Sequence, residues 1–278
     1  MRLIESIDEM MALIGPARVV LVPTMGALHD GHATLVREAR SLAGKDGTVV
    51  VSIFVNPTQF APGEDFESYP RNLAADRETC AKARADIIFH PSPDAMYAAG
   101  ASIEIAETKL SQLLCGASRP THFGGVCTVV AKLFNLVRPD IAVFGKKDYQ
   151  QLAIIRRLVR DLNMGVNIHG VETVREEDGL AMSSRNLYLD DEQRAQAPVI
   201  RRALLAADTR LPRDEMLAAI VAQLHQEAPL GQIDYLELVD AETLERIERV
   251  GGRPALLAIA VFFGKTRLID NLEAGPLE

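Results

Sequence analysis

The chain has 278 residues and a formal charge of −8, from 30 Lys+Arg against 38 Asp+Glu, with 48 % apolar and 24 % charged residues. So much apolar content can bury a core, which excludes a disordered chain, and the acidic balance argues against a general nucleic-acid binder. The length predicts one large domain or two smaller ones.

Residues 18–22 make a short run, rich in β-branched valine and closed by Pro23, a buried-strand signal. From Asp30 the period lengthens: His32, Leu35, Val36, Ala39, Leu42 and Ala43 share one helical face, which Gly44 ends. Residues 49–55 read as the next strand, closed by Asn56-Pro57, so a right-handed βαβ unit is expected. Then follow a helix over 72–84, a strand over 86–89, a helix over 125–137 and a strand over 141–144. A helix over 148–162, with Asp148 as its N-cap, and a strand over 166–169 complete the alternation. Continuous apolar strands between helices predict a parallel sheet covered on both faces. After a polar loop at 176–185 come helices over 191–207 and 213–225. Strands over 233–239, 256–263 and 266–271 end the chain, the last two joined by a Gly264-Lys265 turn. The expected fold class is α/β: a Rossmann-like parallel sheet over 1–173 with helices on both faces, then a smaller α+β domain over 174–278.

Cys80, Cys115 and Cys127 include no C-x-x-C pair, so neither a disulfide framework nor a cysteine zinc site is expected. The apolar run at 255–263 has about half the length of a membrane span. The charged N-terminus lacks a signal-peptide layout. These features predict a cytoplasmic protein without a membrane partner.

Four segments carry the chemistry. The first holds Thr24, Met25, Gly26, Ala27, Leu28, His29, Asp30, Gly31 and His32, between the first strand and the first helix. Open α/β sheets bind ligands there, and free N–H groups at a helix start favour an anion. Gly26 and Gly31 have P-loop spacing, but His32 stands where the lysine belongs, so this is not a Walker A loop. Two imidazoles suit phosphate oxygens and charge developing on them. Zinc binding by His29 and His32 is the competing chemistry, and no third ligand lies nearby in sequence. The second is Asn56-Pro57-Thr58-Gln59-Phe60, where Gln59 offers a donor and acceptors to a hydroxyl or carboxylate; alone, it also reads as an Asn-Pro turn. The third is Gly145-Lys146-Lys147-Asp148-Tyr149-Gln150-Gln151, whose lysines oppose the helix dipole unless an anion joins them. The fourth is Met182-Ser183-Ser184-Arg185-Asn186, where hydroxyls and a guanidinium can clamp a phosphate, and Arg119-Pro120-Thr121-His122 can add another cation. Gly264-Lys265-Thr266 fails as a P-loop, because Ile259 occupies the position of its first glycine. No Ser–His–Asp or Cys–His nucleophile is evident. The set suits in-line displacement on a polyphosphate, with a divalent ion helping.

In this order these segments, with Tyr69-Pro70-Arg71 and Val137-Arg138-Pro139-Asp140, resemble the pantoate–β-alanine ligase family over nearly the whole chain. H-x-G-H alone marks only the wider nucleotidylyltransferase superfamily; Gln59, the K-D-Y-Q-Q run and M-S-S-R narrow it. The resemblance implies ATP-dependent condensation of (R)-pantoate with β-alanine. Pantoate carboxylate attacks the α-phosphorus to give pantoyl adenylate and pyrophosphate, and the amine then displaces AMP. It implies that His29 and His32 bind the ATP phosphates, with His32 as proton donor. Met25 to His32, and Gly145, Lys146, Lys147 and Asp148, would line the nucleotide site. Lys147, Ser183 and Arg185 would contact phosphates, with Met182 and Ser184 beside them and the Val174 backbone at adenine. Gln59 and Gln151 would hold pantoate, with Asn56 and Arg119 at the substrate site and Asp76 close by. Mg²⁺ and a homodimer are implied too. The family often has Glu where Lys146 stands. Three other readings remain: adenylyl transfer to a phosphate-bearing acceptor, a nucleotide-binding module without turnover, and a zinc hydrolase.

Overall fold

Short runs of β-branched residues and helices with one apolar stripe recur along the first 170 residues, and they fold as strands and covering helices. The computed structural model describes residues 1–13, 15 and 17–275, so the last three residues of the expected second domain lie outside it. The described chain divides into two compact units. The first comprises Met1–Thr108, Arg119–Lys146 and Gln151–Glu172; the second comprises Lys109–Ser118, Lys147–Gln150 and Thr173–Glu278.

The first unit is built on six strands: β1 (Arg2–Ile4), β2 (Val19–Thr24), β3 (Thr48–Ile53), β4 (Ile87–Phe89), β5 (Ile141–Gly145) and β6 (Asn167–Val171). All pair in parallel, in the order β1-β4-β3-β2-β5-β6. The order reverses at β2, with β3 on one side and β5 on the other. The carboxyl end of β2 is therefore the crevice where such sheets take ligands. The sequence pattern missed β1, whose three residues are too few to show a period, and α1 (Ile7–Leu13) after it.

Helix α2 (Asp30–Ala43) buries Ala33, Val36, Ala39 and Ala43 against Val20, Val22, Val49 and Val51 of the sheet. Helix α3 (Leu73–Lys82) follows, then α4 (Pro93–Met96), and α5 (Leu114–Ser118) belongs to the second unit. Helix α6 (His122–Val137) is apolar nearly all round, and its buried side chains include Phe123, Val126, Val130 and Phe134. At Gly125 a side chain has no room, since a Cβ would lie 2.5 Å from the Thr58 carbonyl oxygen. Glycine thus lets α6 press against the turn after β3. Helix α7 (Tyr149–Asp161) buries Leu152, Ile154 and Ile155. The expected Asp148 N-cap is not found: Lys146–Asp148 forms a 3₁₀ turn that runs directly into α7.

The second unit carries strands β7 (Gly231–Asp240), β8 (Ala255–Phe263) and β9 (Thr266–Ala274), antiparallel in that order. Phe263 pairs with Thr266 around a two-residue turn in which Gly264 takes φ +58°. The helix expected over 191–207 is two, α8 (Asp191–Gln196) and α9 (Val199–Leu205). Pro198 between them has no N–H to give, and its ring clashes with the preceding turn. With α10 (Arg213–Glu227) they bury Ile200, Leu204, Ile220 and Leu224 against Leu257, Ile259 and Val261 of β8.

Candidate active site

The loop after β2 folds around an aspartate from α3. Thr24 Oγ1 donates to Ser52 O at 2.6 Å and accepts from Gly26 N, which ends the strand. Gly26 (φ +83°) and Ala27 (φ +52°) then take left-handed conformations in succession. This aims the N–H groups of Ala27 and Leu28 at the Asp76 carboxylate, at 3.1 and 2.7 Å. Asp76 is 2 % exposed. Burial raises its pKa, and the hydrogen bonds from Leu28 and Ala27 only partly oppose that. A Cβ at Gly26 would lie 2.9 Å from Asp76 Oδ2. Gly26→Ala therefore meets both a left-handed backbone and a clash. We expect it to lower stability by about 1–2 kcal/mol, read as a drop in urea midpoint; an unchanged midpoint would show that the loop tolerates a side chain.

His29 and His32 cap α2 reciprocally. His29 Nδ1 accepts from Gly31 N at 3.1 Å, and His32 Nδ1 accepts from His29 N at 3.3 Å. A ring nitrogen that accepts carries no proton, so in the neutral rings the proton sits on Nε2 of both. The rings lie together, with centroids 4.1 Å apart. Both rings thus carry their proton on Nε2, the form that donates to phosphate oxygens. The same tautomer does not suit zinc, which would need the Nε2 lone pair. The Gly31 N–H is taken by His29, so this one backbone donor of the helix start is turned inward. Asp30, exposed, opens the helix.

After β3, Asn56 is spent within the protein. Its Nδ2 donates to Gln59 Oε1 and Gly125 O, both at 3.1 Å, and its Oδ1 accepts from Thr58 and from Tyr97 OH. Both amide donors are used, so Asn56 orients Gln59 instead of presenting its own N–H groups. Gln59 is buried, and its Nε2 donates to Met25 Sδ at 2.9 Å. An amide has two donors and two acceptor lone pairs, so Gln59 keeps one of each beyond these contacts. Arg119 grips Glu64 with two bonds of 2.7 and 2.6 Å, and with His122 it holds the Gln59 carbonyl oxygen. Burial pushes Glu64 up, but the Arg119 hydrogen bonds and charge outweigh it and leave its pKa lowered. Lys146 follows β5 and pairs with Glu172 at 2.5 Å; Gln151 is half-buried in the first turns of α7.

In the second unit, Lys147 Nζ lies 4.0 Å from Asp148 Oδ2. Gln150 donates to Leu110 O and Leu113 O, both at 2.7 Å. The segment from Val174 onwards is a tight hairpin. Arg175 bridges Ala181, and Met182 N donates to Val174 O at 3.0 Å. Ser183 then caps a 3₁₀ turn over Ser184–Tyr188, its hydroxyl accepting from Arg185 N. Asn186 donates to Glu176 and Ala181 O, and Arg194 binds Glu176 and Asp178. The hydroxyls and guanidinium of this motif sit on a braced turn.

Sequence pattern did not assign Tyr97 or Glu64, and gave Asp76 no definite task. A buried carboxylate in a helix opposite a glycine turn is a contact between distant positions, which periodicity does not carry. Cys80 and Cys127 are buried free thiols whose pKa burial pushes up to about 12. No described helix is long and apolar enough to cross a membrane.

Comparison with known proteins adds four findings. A model of the family described as "Pantoate-beta-alanine ligase" matches residues 2–273. The chain is 56 % identical over 263 residues to a pantothenate synthetase of Akkermansia muciniphila, covering 92 % of each. It superposes with TM-score 0.92 and 47 % identity on a Thermus thermophilus pantothenate synthetase crystal structure, covering 99 % of this chain and 100 % of that one. A Francisella tularensis pantoate–β-alanine ligase, crystallised with β-γ ATP and β-alanine, matches at TM-score 0.80 and 32 % identity over 98 % of this chain and 97 % of its own.

Proposed function

The chain belongs to the pantoate–β-alanine ligase family, and from that premise we infer that it condenses (R)-pantoate with β-alanine, using ATP and passing through pantoyl adenylate. A pantoate oxygen bonds to the α-phosphorus as pyrophosphate leaves. The β-alanine amine then bonds to the acyl carbon as AMP leaves, taking that oxygen with it. The capped imidazole pair carries the reading, because carboxylate attack on a polyanion is opposed by like charge until donors offset it. His29 and His32 donate from Nε2 to phosphate oxygens, and His32 gives the hydrogen bond that strengthens as pyrophosphate departs.

Within this reading, Met25 to His32 and Gly145 to Asp148 line the nucleotide. Lys147, Ser183 and Arg185 bind phosphates, with Met182 and Ser184 beside them and the Val174 backbone against adenine. Gln59 and Gln151 hydrogen-bond pantoate. Asn56 acts by fixing Gln59, and Arg119 by holding the Gln59 backbone through its pair with Glu64. We also expect a cytoplasmic homodimer, which gel filtration and fractionation test. Pyrophosphate release from Mg-ATP, with pantoate and β-alanine omitted singly, tests the activity. Sustained release that needs pantoate, with AMP and pantothenate formed when both are present, supports it. Release driven by a phosphate-bearing acceptor instead would overturn it.

Among the described residues, no three His, Cys, Asp or Glu gather as metal ligands. Both oxygens of Asp76 are engaged by backbone N–H groups. Mg²⁺ would then enter with the ATP phosphates and would offset part of their charge during the displacement. EDTA is then expected to stop turnover, with excess Mg²⁺ restoring it, and to leave the melting temperature unchanged. A fall in melting temperature with EDTA would point to a resident ion.

A further inference from the structure

Strand β9 carries Asp270 and Asn271 buried between the apolar residues Leu268 and Leu272. A buried carboxylate and amide in a strand are costly unless paired. Both are paired, each to a segment proposed above to hold ATP. The Asp270 oxygens accept from Arg175 Nη1 and Nη2 at 2.7 and 2.9 Å, across 95 sequence positions. Arg175 also donates to Gly179 O and bridges Ala181, so this grip fixes the hairpin that leads into Met182, Ser183 and Arg185. Asn271 Nδ2 donates to the Lys147 carbonyl oxygen at 3.0 Å, across 124 positions. The two hooks are locked to one another, because Asn271 N donates to Asp270 Oδ1 at 2.8 Å and both residues sit in the β8 register opposite Ile259 and Ala258. Arg201 Nη1 braces the Asn271 carbonyl oxygen at 3.2 Å.

We propose that Asp270 and Asn271 are positioning residues for the adenylation half-reaction, which set Lys147 and the Met182–Arg185 segment at a fixed spacing for the ATP phosphates. The proposal rests on the assignment of Lys147, Ser183 and Arg185 to those phosphates. It follows that disturbing the pair slows the step in which pyrophosphate leaves. Amide formation from adenylate already made is spared, because the β- and γ-phosphates have gone.

The test measures Asn271→Ala, Asp270→Asn and Lys147→Ala in both half-reactions: pantoate-dependent pyrophosphate release, and AMP release from supplied pantoyl adenylate plus β-alanine. Asn271→Ala is expected to lower pyrophosphate release about three- to tenfold, as for one lost hydrogen bond, with a raised KM for ATP. Asp270→Asn is expected to lower it about tenfold or more. AMP release from pantoyl adenylate should stay within about twofold of wild type. A folded Asn271→Ala with unchanged pyrophosphate release, or equal losses in both half-reactions, overturns the proposal. Should Asp270→Asn fail to fold, Asn271→Ala decides, since it removes only a neutral side chain. If Lys147→Ala slows adenylation and Asn271→Ala does not, the positioning role alone falls. If Lys147→Ala has no effect, the phosphate assignment falls and takes this proposal with it.

Discussion

His32→Ala should slow pantoyl-adenylate formation by about 10²–10³, the loss of about 2.7–4 kcal/mol that follows removal of one donor aimed at developing charge. The side chain also closes the α2 cap, so alanine should cost about 1 kcal/mol of stability as well. The two roles separate by substitution. A Gln or Glu at this position accepts from the His29 N–H, as in the usual capping box. His32→Gln should therefore recover the melting temperature and part of the rate, through its amide donor. His32→Glu should recover the melting temperature and still be inactive, since it sets a negative charge against the phosphates. Single-turnover pyrophosphate release beside a thermal melt reads both. An active His32→Glu enzyme would remove the imidazole from the chemistry.

Asp76→Asn should cost about 10²-fold in the same step, without any change to a group that touches substrate. The carboxylate accepts from two backbone N–H groups at once. An amide in its place turns an NH₂ toward one of them, donor against donor. Hydrogen bonds to a charged acceptor are each worth about 1.5–3 kcal/mol, so the loop that aims both imidazoles loses its anchor. Near-normal adenylation by this variant would show that the loop holds its shape unaided. The pH dependence has a definite sign. Burial raises the Asp76 pKa above 3.8, so between 3.8 and the raised value the native state binds more protons than the unfolded chain. Its contribution to stability therefore falls as pH rises through that window. Wild type should gain on Asp76→Asn as pH is lowered through it, in paired urea melts. A gap that moves the other way would mean that the hydrogen bonds outweigh burial.

The comparison of pattern with structure divides along the range of the interactions. The stripe His32, Leu35, Val36, Ala39 and Ala43 and the β-branched run before Pro23 are local signals, and they located the loop between β2 and α2 where the imidazoles lie. Gly264-Lys265 marked its hairpin for the same reason. The order of the sheet was not legible, because β1 joins β4 through three residues. Asn56 looked like a ligand group; its amide instead points into the protein, and only the approach of α6 at Gly125 shows why. The break at Pro198 went unread, because the helical pattern continues through it, although a proline cannot donate to the preceding turn. Asp270 and Asn271 interrupt an apolar strand, a mark visible in the sequence whose meaning depends on partners about a hundred residues away.

The central claim is that a pantoate carboxylate oxygen attacks the α-phosphorus of ATP while the imidazole pair stabilises the departing charge. Carboxyl-¹⁸O-labelled pantoate, turned over with Mg-ATP and β-alanine, tests it most directly by mass spectrometry of the products. The account predicts one ¹⁸O in each AMP and none in pyrophosphate. Label in inorganic phosphate, with ADP formed in place of AMP, would mean attack at the γ-phosphorus and would contradict it.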